Sequence, residues 1–277
     1  MLKSVVVKQL NTIEEMEEAR QLERDIWASE CVPIHQIVSF IHNGGLVLGA
    51  YLDKELIGFN YSHAAFVEGE SYLYSHMLGI KREFRELGVG ELIKLRQKEL
   101  AAELGYGKCK WTFDPLEARN GYLNFTKLRT YAKTYLPNCY GQLHDPFNKA
   151  LPSDRVMVEW NLHDEDFLRW DTKIDELTEE AGEVAPWSLS IVGLPILDKD
   201  GTFNSEISLL KDAYLLPIPA SFQKIKIESP SLAEDWRYKT RTMFQALFAQ
   251  GYAVVHLLPT NEHVSHYLFV KSSLFAL

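Results

Sequence analysis

The sequence predicts a mixed α/β fold in which helices flank a mostly antiparallel sheet, and three observations support this class. Apolar and polar residues alternate in several short segments, as in strands, while other segments have the helical period. The turn Asp53-Lys54 joins two apolar runs as an antiparallel hairpin. Over residues 1–162 the elements follow the order β, α, α, β, β, β, α, β, α, β. Because this order combines hairpins with crossovers, we expect a mixed sheet.

Strands and helices can be predicted one after another along the first domain. A strand is predicted over residues 4–9, and a helix follows in which Thr12 and Glu15 have the spacing of a capping box. A second helix is predicted over residues 34–42, ending at a glycine pair. Later come a strand from Ser71 to Ile80, a helix to about residue 104 and the strand "YGKCKWTF". A helix over residues 117–133 and the strand "DRVMVEWNL" complete the first domain.

The chain divides by composition into three parts. Residues 1–162 form the first domain, residues 163–186 an acidic helical linker, and residues 187–277 a smaller C-terminal α/β unit. In the C-terminal unit, "FQKIKIE" is predicted to be a strand. The helix after Pro230 has a possible capping box at Ser231 and Glu234.

Composition narrows the classes of function. The 277 residues are 46% hydrophobic and 24% charged, as in an ordinary globular protein. A formal net charge of -9 argues against nucleic acid as a partner, and no apolar run is long enough for a membrane span. The three cysteines form no CxxC pair, and the first residues do not have the pattern of a secretory signal. We therefore expect a cytoplasmic protein without a disulfide framework, a metal site or a membrane partner.

The loop after Ile80 is the clearest candidate binding element. Gly88 and Gly90 lie where a strand passes into a helix, and Arg85 precedes them. Glycines allow a ligand to approach the backbone, and the first amides of a helix favour an anion. The loop therefore predicts either a phosphate site or a simple structural turn. It lacks the Lys-Ser/Thr of a P-loop and the third glycine of a dinucleotide fingerprint.

The segment "RELGVG", placed after the strand "HMLGIKREF", resembles the acyl-CoA-binding segment of the GNAT superfamily of N-acyltransferases. The element order of residues 1–162 is also similar to that family, and "PLEARNGYLNFTKLRTYAKTYLPNCYG" resembles a bacterial subgroup with a C-terminal extension. Lys127 lies near the position of the family's usual tyrosine, so the match is weaker there.

The resemblance implies that acetyl-CoA or another acyl-CoA is the co-substrate and that a small-molecule amine receives the acyl group, with no metal. The backbone of Leu78 and Ile80 would meet the pantetheine. The amides of the loop would hold the pyrophosphate. The implied cofactor-binding residues of the loop and of the later helix are Arg85, Glu86, Leu87, Gly88, Val89, Gly90, Asn120, Asn124 and Lys127.

Four side chains are candidates for the chemistry, and each has a structural alternative. Strand periodicity puts His76 on one face with Tyr72, Tyr74, Leu78 and Ile80, where it is either a general base or a core histidine. Asp114 either binds the amine or caps the next helix, Arg155 either binds an acceptor carboxylate or pairs structurally, and Tyr140 is either the general acid or an ordinary aromatic residue.

The leading hypothesis is an acyl-CoA-dependent N-acyltransferase that transfers an acetyl or succinyl group to a primary amine, with an amino acid as one candidate. The alternative is a non-catalytic acyl-CoA-binding or regulatory module. A third hypothesis is an interaction protein in which RxxGxG has no function. The C-terminal unit is expected to cover the acceptor side or to form a homodimer contact.

Overall fold

The computed structural model describes residues 4–27, 31–141, 151–163, 167–197 and 210–275. The chain forms two compact units. Unit 1 comprises Met1–Trp111 and Glu159–Asp164, and unit 2 comprises Thr112–Val158 and Glu165–Leu277. These bounds differ from the predicted domains 1–162, 163–186 and 187–277, because unit 2 includes segments that the sequence assigned to the first domain. No described helix has both the length and the apolarity that crossing a membrane requires.

Unit 1 contains the first five strands, three helices and a short 3₁₀ turn. They are β1 Val5–Gln9, α1 Ile13–Trp27, α2 Ile34–His42, β2 Leu46–Leu52, β3 Glu55–Val67, β4 Glu70–Ile80, the turn Arg82–Phe84, α3 Val89–Glu103 and β5 Lys108–Phe113, whose last two residues belong to unit 2. The capping box predicted at α1 is confirmed. Glu15 accepts the Thr12 amide, and the Glu15 amide donates to the Thr12 hydroxyl.

The strands of unit 1 follow the order β1-β2-β3-β4-β5. Three of the four pairings are antiparallel, and only β4 and β5 run parallel. Helices α1 and α2 cover one face, where Leu22 and Ile37 pack on Phe59 and Tyr61. Helix α3 covers the other face through Ile93. The predicted mixed, mostly antiparallel sheet flanked by helices is confirmed.

Unit 2 contains the remaining elements and most of β7. They are α4 Ala118–Gly121, the π-helical segment Tyr122–Lys127, β6 Tyr131–Leu136, β7 Arg155–Asn161, α5 Phe167–Glu180, β8 Gly182–Glu183, β9 Trp187–Leu189, β10 Pro195–Leu197, β11 Ala213–Pro219, α6 Phe222–Glu228, α7 Pro230–Ala249, β12 Tyr252–Pro259 and β13 Val264–Lys271. The main strand order is β7-β6-β12-β13-β11-β8. Helix α5, predicted as a linker, packs Ile174 into the core beside Val255 and Leu268.

The predicted helix over residues 117–133 is wrong in its second half. The helical path ends near Lys127, and β6 begins at Tyr131. Arg129 has φ +52°, which a continuing right-handed helix does not allow. Tyr131 and Ala132 are then buried in the sheet, so tertiary packing overrides the helical pattern.

The predicted strand "FQKIKIE" is also wrong, because these residues form α6. Phe222 and Ile225 are buried three residues apart, while Ile227 is exposed. A strand would have placed Ile225 and Ile227 on the same face. The following helix begins at Pro230 after Ser229 as N-cap, without a capping hydrogen bond from a side chain, so the predicted box at Ser231 and Glu234 does not mark its start.

Candidate functional site

Strand β4 has a bulge at His76. Tyr61 of β3 pairs with Met77, whereas the next residue, Ser62, pairs with Ser75, so His76 is the extra residue between two regular pairs. A bulge adds one residue to one strand and thereby shifts the alternation of its side chains. Sequence periodicity cannot detect this, because it assumes an uninterrupted period of two.

Because of the bulge, the prediction that His76 shares one face of β4 with Leu78 and Ile80 is wrong. Leu78 and Ile80 pack beneath α3 with Ile93. His76 instead approaches the aromatic residues of the opposite face, with ring centroids 6.1 Å from His63 and 6.5 Å from Tyr74.

His76 remains accessible to a reactant. The residue as a whole is exposed, and its ring lies edge-on to Phe40 of α2 at 6.3 Å. The pKa of His76 is lowered from 6.5, first because neighbouring atoms shield the ring from water and second because His63 is close. At neutral pH the imidazole is therefore mainly uncharged and able to accept a proton.

The far edge of β4 is open toward β5. The two strands pair in register only at Leu73 with Cys109 and at Tyr74 with Lys110, although β4 continues to Ile80. The amide of Lys81 donates to the Ile57 carbonyl of β3 at 2.9 Å. Because backbone groups of successive strand residues point to opposite edges, those of Ile80 and Leu78 point away from β3. Leu78 thus offers backbone groups along the open edge, and Ile80 offers its amide, since the Ile80 carbonyl accepts a hydrogen bond from Arg85.

The glycine loop follows β4 after the 3₁₀ turn Arg82–Phe84. Glu86 has φ +74° and Gly88 has φ +77°, so the chain twice takes a left-handed conformation before α3 begins at Val89. Within the described part of the chain, the amides of residues 87–90 donate to no backbone carbonyl. The Arg85 side chain folds back and donates from Nε to the Ile80 carbonyl at 3.1 Å. Arg85 therefore precedes a run of amides that have no backbone partner, and such a run suits an anion.

A buried polar network lies on the α3 side of the bulge, and sequence reasoning missed it. Lys94 is 2% exposed, and its Nζ donates to Ser75 Oγ at 3.1 Å and to Gln97 Oε1 at 2.8 Å. The same Nζ lies 3.4 Å from the centroid of the Trp111 ring. Burial lowers the pKa of Lys94 to about 8.

Asn60 connects this network to both sides of the bulge. Its amide nitrogen donates to Ser75 Oγ at 2.9 Å and to the Met77 carbonyl at 2.8 Å, and its oxygen accepts from Gln97 at 2.7 Å. The network therefore holds Ser75 and Met77 in place on either side of His76. One signal was available in the sequence, since Gln97 lies on the helical stripe of Val89, Ile93 and Ala101 that α3 buries.

In unit 2, the Asp114 carboxylate pairs with Arg237. Arg237 donates to both carboxylate oxygens at 2.8 and 2.5 Å, and the Leu116 amide donates to Oδ1 at 2.9 Å. Burial raises the pKa of Asp114, but the charge and hydrogen bonds of Arg237, the charge of Arg155 and the hydrogen bond from Leu116 together outweigh this effect, and the net pKa is lowered. The hydrogen bond from the Leu116 amide is local, but Asp114 is not the N-cap of the next helix, which is Glu117. The role of Asp114 in binding the amine stays a prediction.

Arg155 does not pair with the carboxylate next to it in sequence. Asp154 accepts from Arg241 at 2.8 and 2.7 Å and from the Tyr135 hydroxyl at 2.7 Å. Arg155 donates from Nη1 to the Asp154 backbone carbonyl, and its guanidinium lies 5.5 Å from the centroid of the Tyr140 ring. The structural ion pair of Asp154 therefore involves Arg241, and the role of Arg155 stays a prediction.

The other predicted residues of unit 2 have distinct surroundings. Tyr140 is 47% exposed, and its hydroxyl shares a 2.8 Å hydrogen bond with Thr112 Oγ1. Asn120 and Lys127 are exposed, whereas Asn124 is buried. Unit 1 thus contains His76, Leu78, Ile80 and the loop 85–90. Unit 2 contains Asn120, Asn124, Lys127 and Tyr140. In the described ranges, no three His, Cys, Asp or Glu side chains form a possible metal site.

Comparisons with known proteins give structural neighbours only. No protein-family model and no curated protein matches the sequence. An aminoglycoside 6'-acetyltransferase type Ii has a TM-score of 0.46 and 15% identity, over 58% of this chain and 99% of its own. An IAA acetyltransferase from Bacillus cereus has a TM-score of 0.44 and 15% identity, over 57% and 99%. An acetyltransferase of the GNAT family from Streptococcus pneumoniae has a TM-score of 0.45 over 57% and 98%.

All three are acetyltransferases. One of them bears the name of the family that the "RELGVG" segment resembles. The similarity covers a little more than half of this chain in each case.

Proposed function

We propose that this protein is an acyl-CoA-dependent N-acyltransferase of the GNAT type that acylates a small primary amine. One observation carries the proposal. The open edge of β4 at Leu78 and Ile80 is followed, after the short 3₁₀ turn Arg82–Phe84, by the free amides of residues 87–90. An extended ligand that has amides at one end and a pyrophosphate at the other matches both parts of this surface, and coenzyme A is such a ligand.

The loop supplies the electrostatic part of binding. The amides of residues 87–90 and the positive end of the α3 dipole would hold the pyrophosphate, and Arg85 would add a charge-assisted hydrogen bond. Along β4, the pantetheine amides would bond to backbone groups of Leu78 and Ile80, as an added strand does. Asn120, Asn124 and Lys127 remain proposed cofactor-binding residues.

The transfer step requires a base, an oxyanion donor and an acid. The amine loses a proton, attacks the thioester carbon and forms an amide bond, while the carbon–sulfur bond breaks and the thiolate takes up a proton. His76 is the proposed base because it is exposed and its lowered pKa keeps it uncharged at neutral pH. Tyr140 remains the proposed acid. Arg155 is the proposed binding residue for the carboxylate of an amino-acid acceptor.

Binding of coenzyme A is tested first, by calorimetric titration of acetyl-CoA into the protein. Gly88→Asp should abolish saturable binding, since it places bulk and negative charge against the pyrophosphate. Gly105→Asp is the matched control, because Gly105 also has a positive φ, +88°, and an added Cβ there meets nothing within 4 Å. Equal affinity in the two variants would refute the loop assignment.

Turnover is tested by release of free thiol from acetyl-CoA or succinyl-CoA in the presence of amines and amino acids. Release that depends on both donor and acceptor supports the enzyme. Tight binding of acyl-CoA without turnover for any acceptor would instead favour the non-catalytic module. Absence of saturable binding would exclude both.

A further inference from the structure

Lys94 of α3 is a buried cation that has no anion beside it in the described part of the chain. The residue is 2% exposed, and the one titratable group that acts on its charge is the Cys109 thiol of β5. Burial raises the pKa of that thiol, so Cys109 is uncharged at pH 7. Burying an unpaired charge costs stability, and packing alone therefore does not explain why a lysine occupies this position.

The surroundings of Lys94 Nζ fit the charged form of the amine. Nζ donates to Ser75 Oγ at 3.1 Å and to Gln97 Oε1 at 2.8 Å, and it lies 3.4 Å from the centroid of the Trp111 ring. An ammonium group has one N–H bond for each of these three electron-rich neighbours. A neutral amine has a lone pair in place of one N–H bond, and that lone pair would face one of the three. Loss of the proton therefore disrupts at least one contact.

Ser75 connects this charge to the bulge of β4. It immediately precedes the bulge residue His76. Its hydroxyl accepts hydrogen bonds from Lys94 and, at 2.9 Å, from the amide nitrogen of Asn60. The same nitrogen donates to the Met77 carbonyl on the other side of the bulge at 2.8 Å. A change at Lys94 thus reaches the backbone that carries His76 through a single side-chain hydrogen bond.

We propose that Lys94 is a positioning residue for His76, in which the charged amine holds Ser75 and thereby fixes the bulge that turns the imidazole toward α2. As a role in catalysis, the assignment rests on the proposed function, in which His76 is the base. Lys94 itself takes no part in proton transfer. With the contact intact, the His76 ring stays against the Phe40 ring, at 6.3 Å between centroids. When Lys94 loses its proton or is replaced, the bulge is less constrained and the imidazole is displaced.

The coupling can be measured by NMR without any acyl-CoA, in protein labelled with ¹⁵N at histidine. The His76 ring resonances should show two inflections with pH, one below 6.5 from the ring itself and one near pH 8 from the pKa of Lys94. Lys94→Met should abolish the second inflection, because methionine does not titrate. Lys98→Met is the matched control on the same helix, where the lysine Nζ lies 5.4 Å from the centroid of the Trp160 ring, and it should retain both inflections.

Steady-state kinetics give a second measurement. Lys94→Met should lower kcat by about 10- to 100-fold at pH 7 and leave the KM for acetyl-CoA within about twofold, because a small displacement of the base slows the chemistry without changing the cofactor loop. Wild-type kcat should fall toward the value of this variant as pH rises through about 8, the pKa of Lys94. Ser75→Ala should cause the same loss, and the double variant should lose little more, since the two residues act through one contact.

The outcomes separate the positioning role from the proposed function. Absence of an inflection near pH 8 in the His76 resonances, or its persistence in Lys94→Met, would refute the positioning role. An equal effect of Lys98→Met would refute it too, because any lost lysine would then suffice. If Lys94→Met fails to fold, the wild-type titration and Ser75→Ala, which should also abolish the inflection, decide the question. If no acyl donor is turned over with any amine, the proposed function fails, while the NMR titration still decides whether Lys94 positions His76.

Discussion

Lys94 should make the stability of the protein depend on pH in a way that one substitution removes. In the folded protein the pKa of Lys94 is about 8, against 10.5 for an ordinary lysine. The two values differ by about 2.5, and each pKa unit corresponds to about 1.4 kcal/mol, so the largest effect is about 3 kcal/mol. The lysine is almost fully buried, which justifies converting the difference without a discount for solvent screening.

The direction in which the free energy of unfolding changes with pH follows from the number of protons that each state binds. Below pH 8 Lys94 is charged in both states, and the full cost of burying the charge is present. Between pH 8 and 10.5 the unfolded chain binds more protons than the folded one, so the free energy of unfolding rises with pH. Lys94→Met keeps most of the volume and has no titrating group. The free energy of unfolding of this variant, measured relative to that of the wild-type protein, should therefore fall by about 3 kcal/mol between pH 7 and pH 10.5.

The assay is urea unfolding, followed by circular dichroism at several pH values from 7 to 10.5. The difference between variant and wild type cancels the other groups that titrate in this range. Lys54→Met, a substitution of an exposed lysine in the β2–β3 turn, should show a constant difference from wild type. A constant difference for Lys94→Met as well would show that the buried amine does not have a lowered pKa.

Two further changes test other parts of the structure. Asp114→Asn leaves Arg237 as a buried charge without its anion, so the free energy of unfolding should fall by about 3–5 kcal/mol in urea titrations; a loss below about 1 kcal/mol would contradict the buried pair. His76→Gln should lower kcat by about 10²–10⁴-fold with acetyl-CoA affinity unchanged. Because neutral His76 is the proposed base, wild-type activity should rise with pH through a pKa below 6.5, and persistence of this limb in the variant would exclude His76 as the base.

Local elements were predictable because neighbouring residues specify them. The capping box of α1, the Asp53-Lys54 hairpin and the strand–loop–helix around Gly88 all depend on contacts a few residues apart in sequence. Errors arose where two local patterns compete. Residues 131–136 and 222–228 each fit both a helix and a strand, and packing of Tyr131 and Phe222 decided between them.

The sequence by itself determined the fold class and the position of the glycine loop between β4 and α3. Tertiary structure decided the partners of the buried charges, because Asp114 meets Arg237 across 123 residues of chain and Asp154 meets Arg241 across 87. It also decided which face of β4 His76 occupies, because His76 is the bulge residue that has no partner in β3. Such features depend on which atoms meet after folding, and the order of residues along the chain contains no direct sign of them.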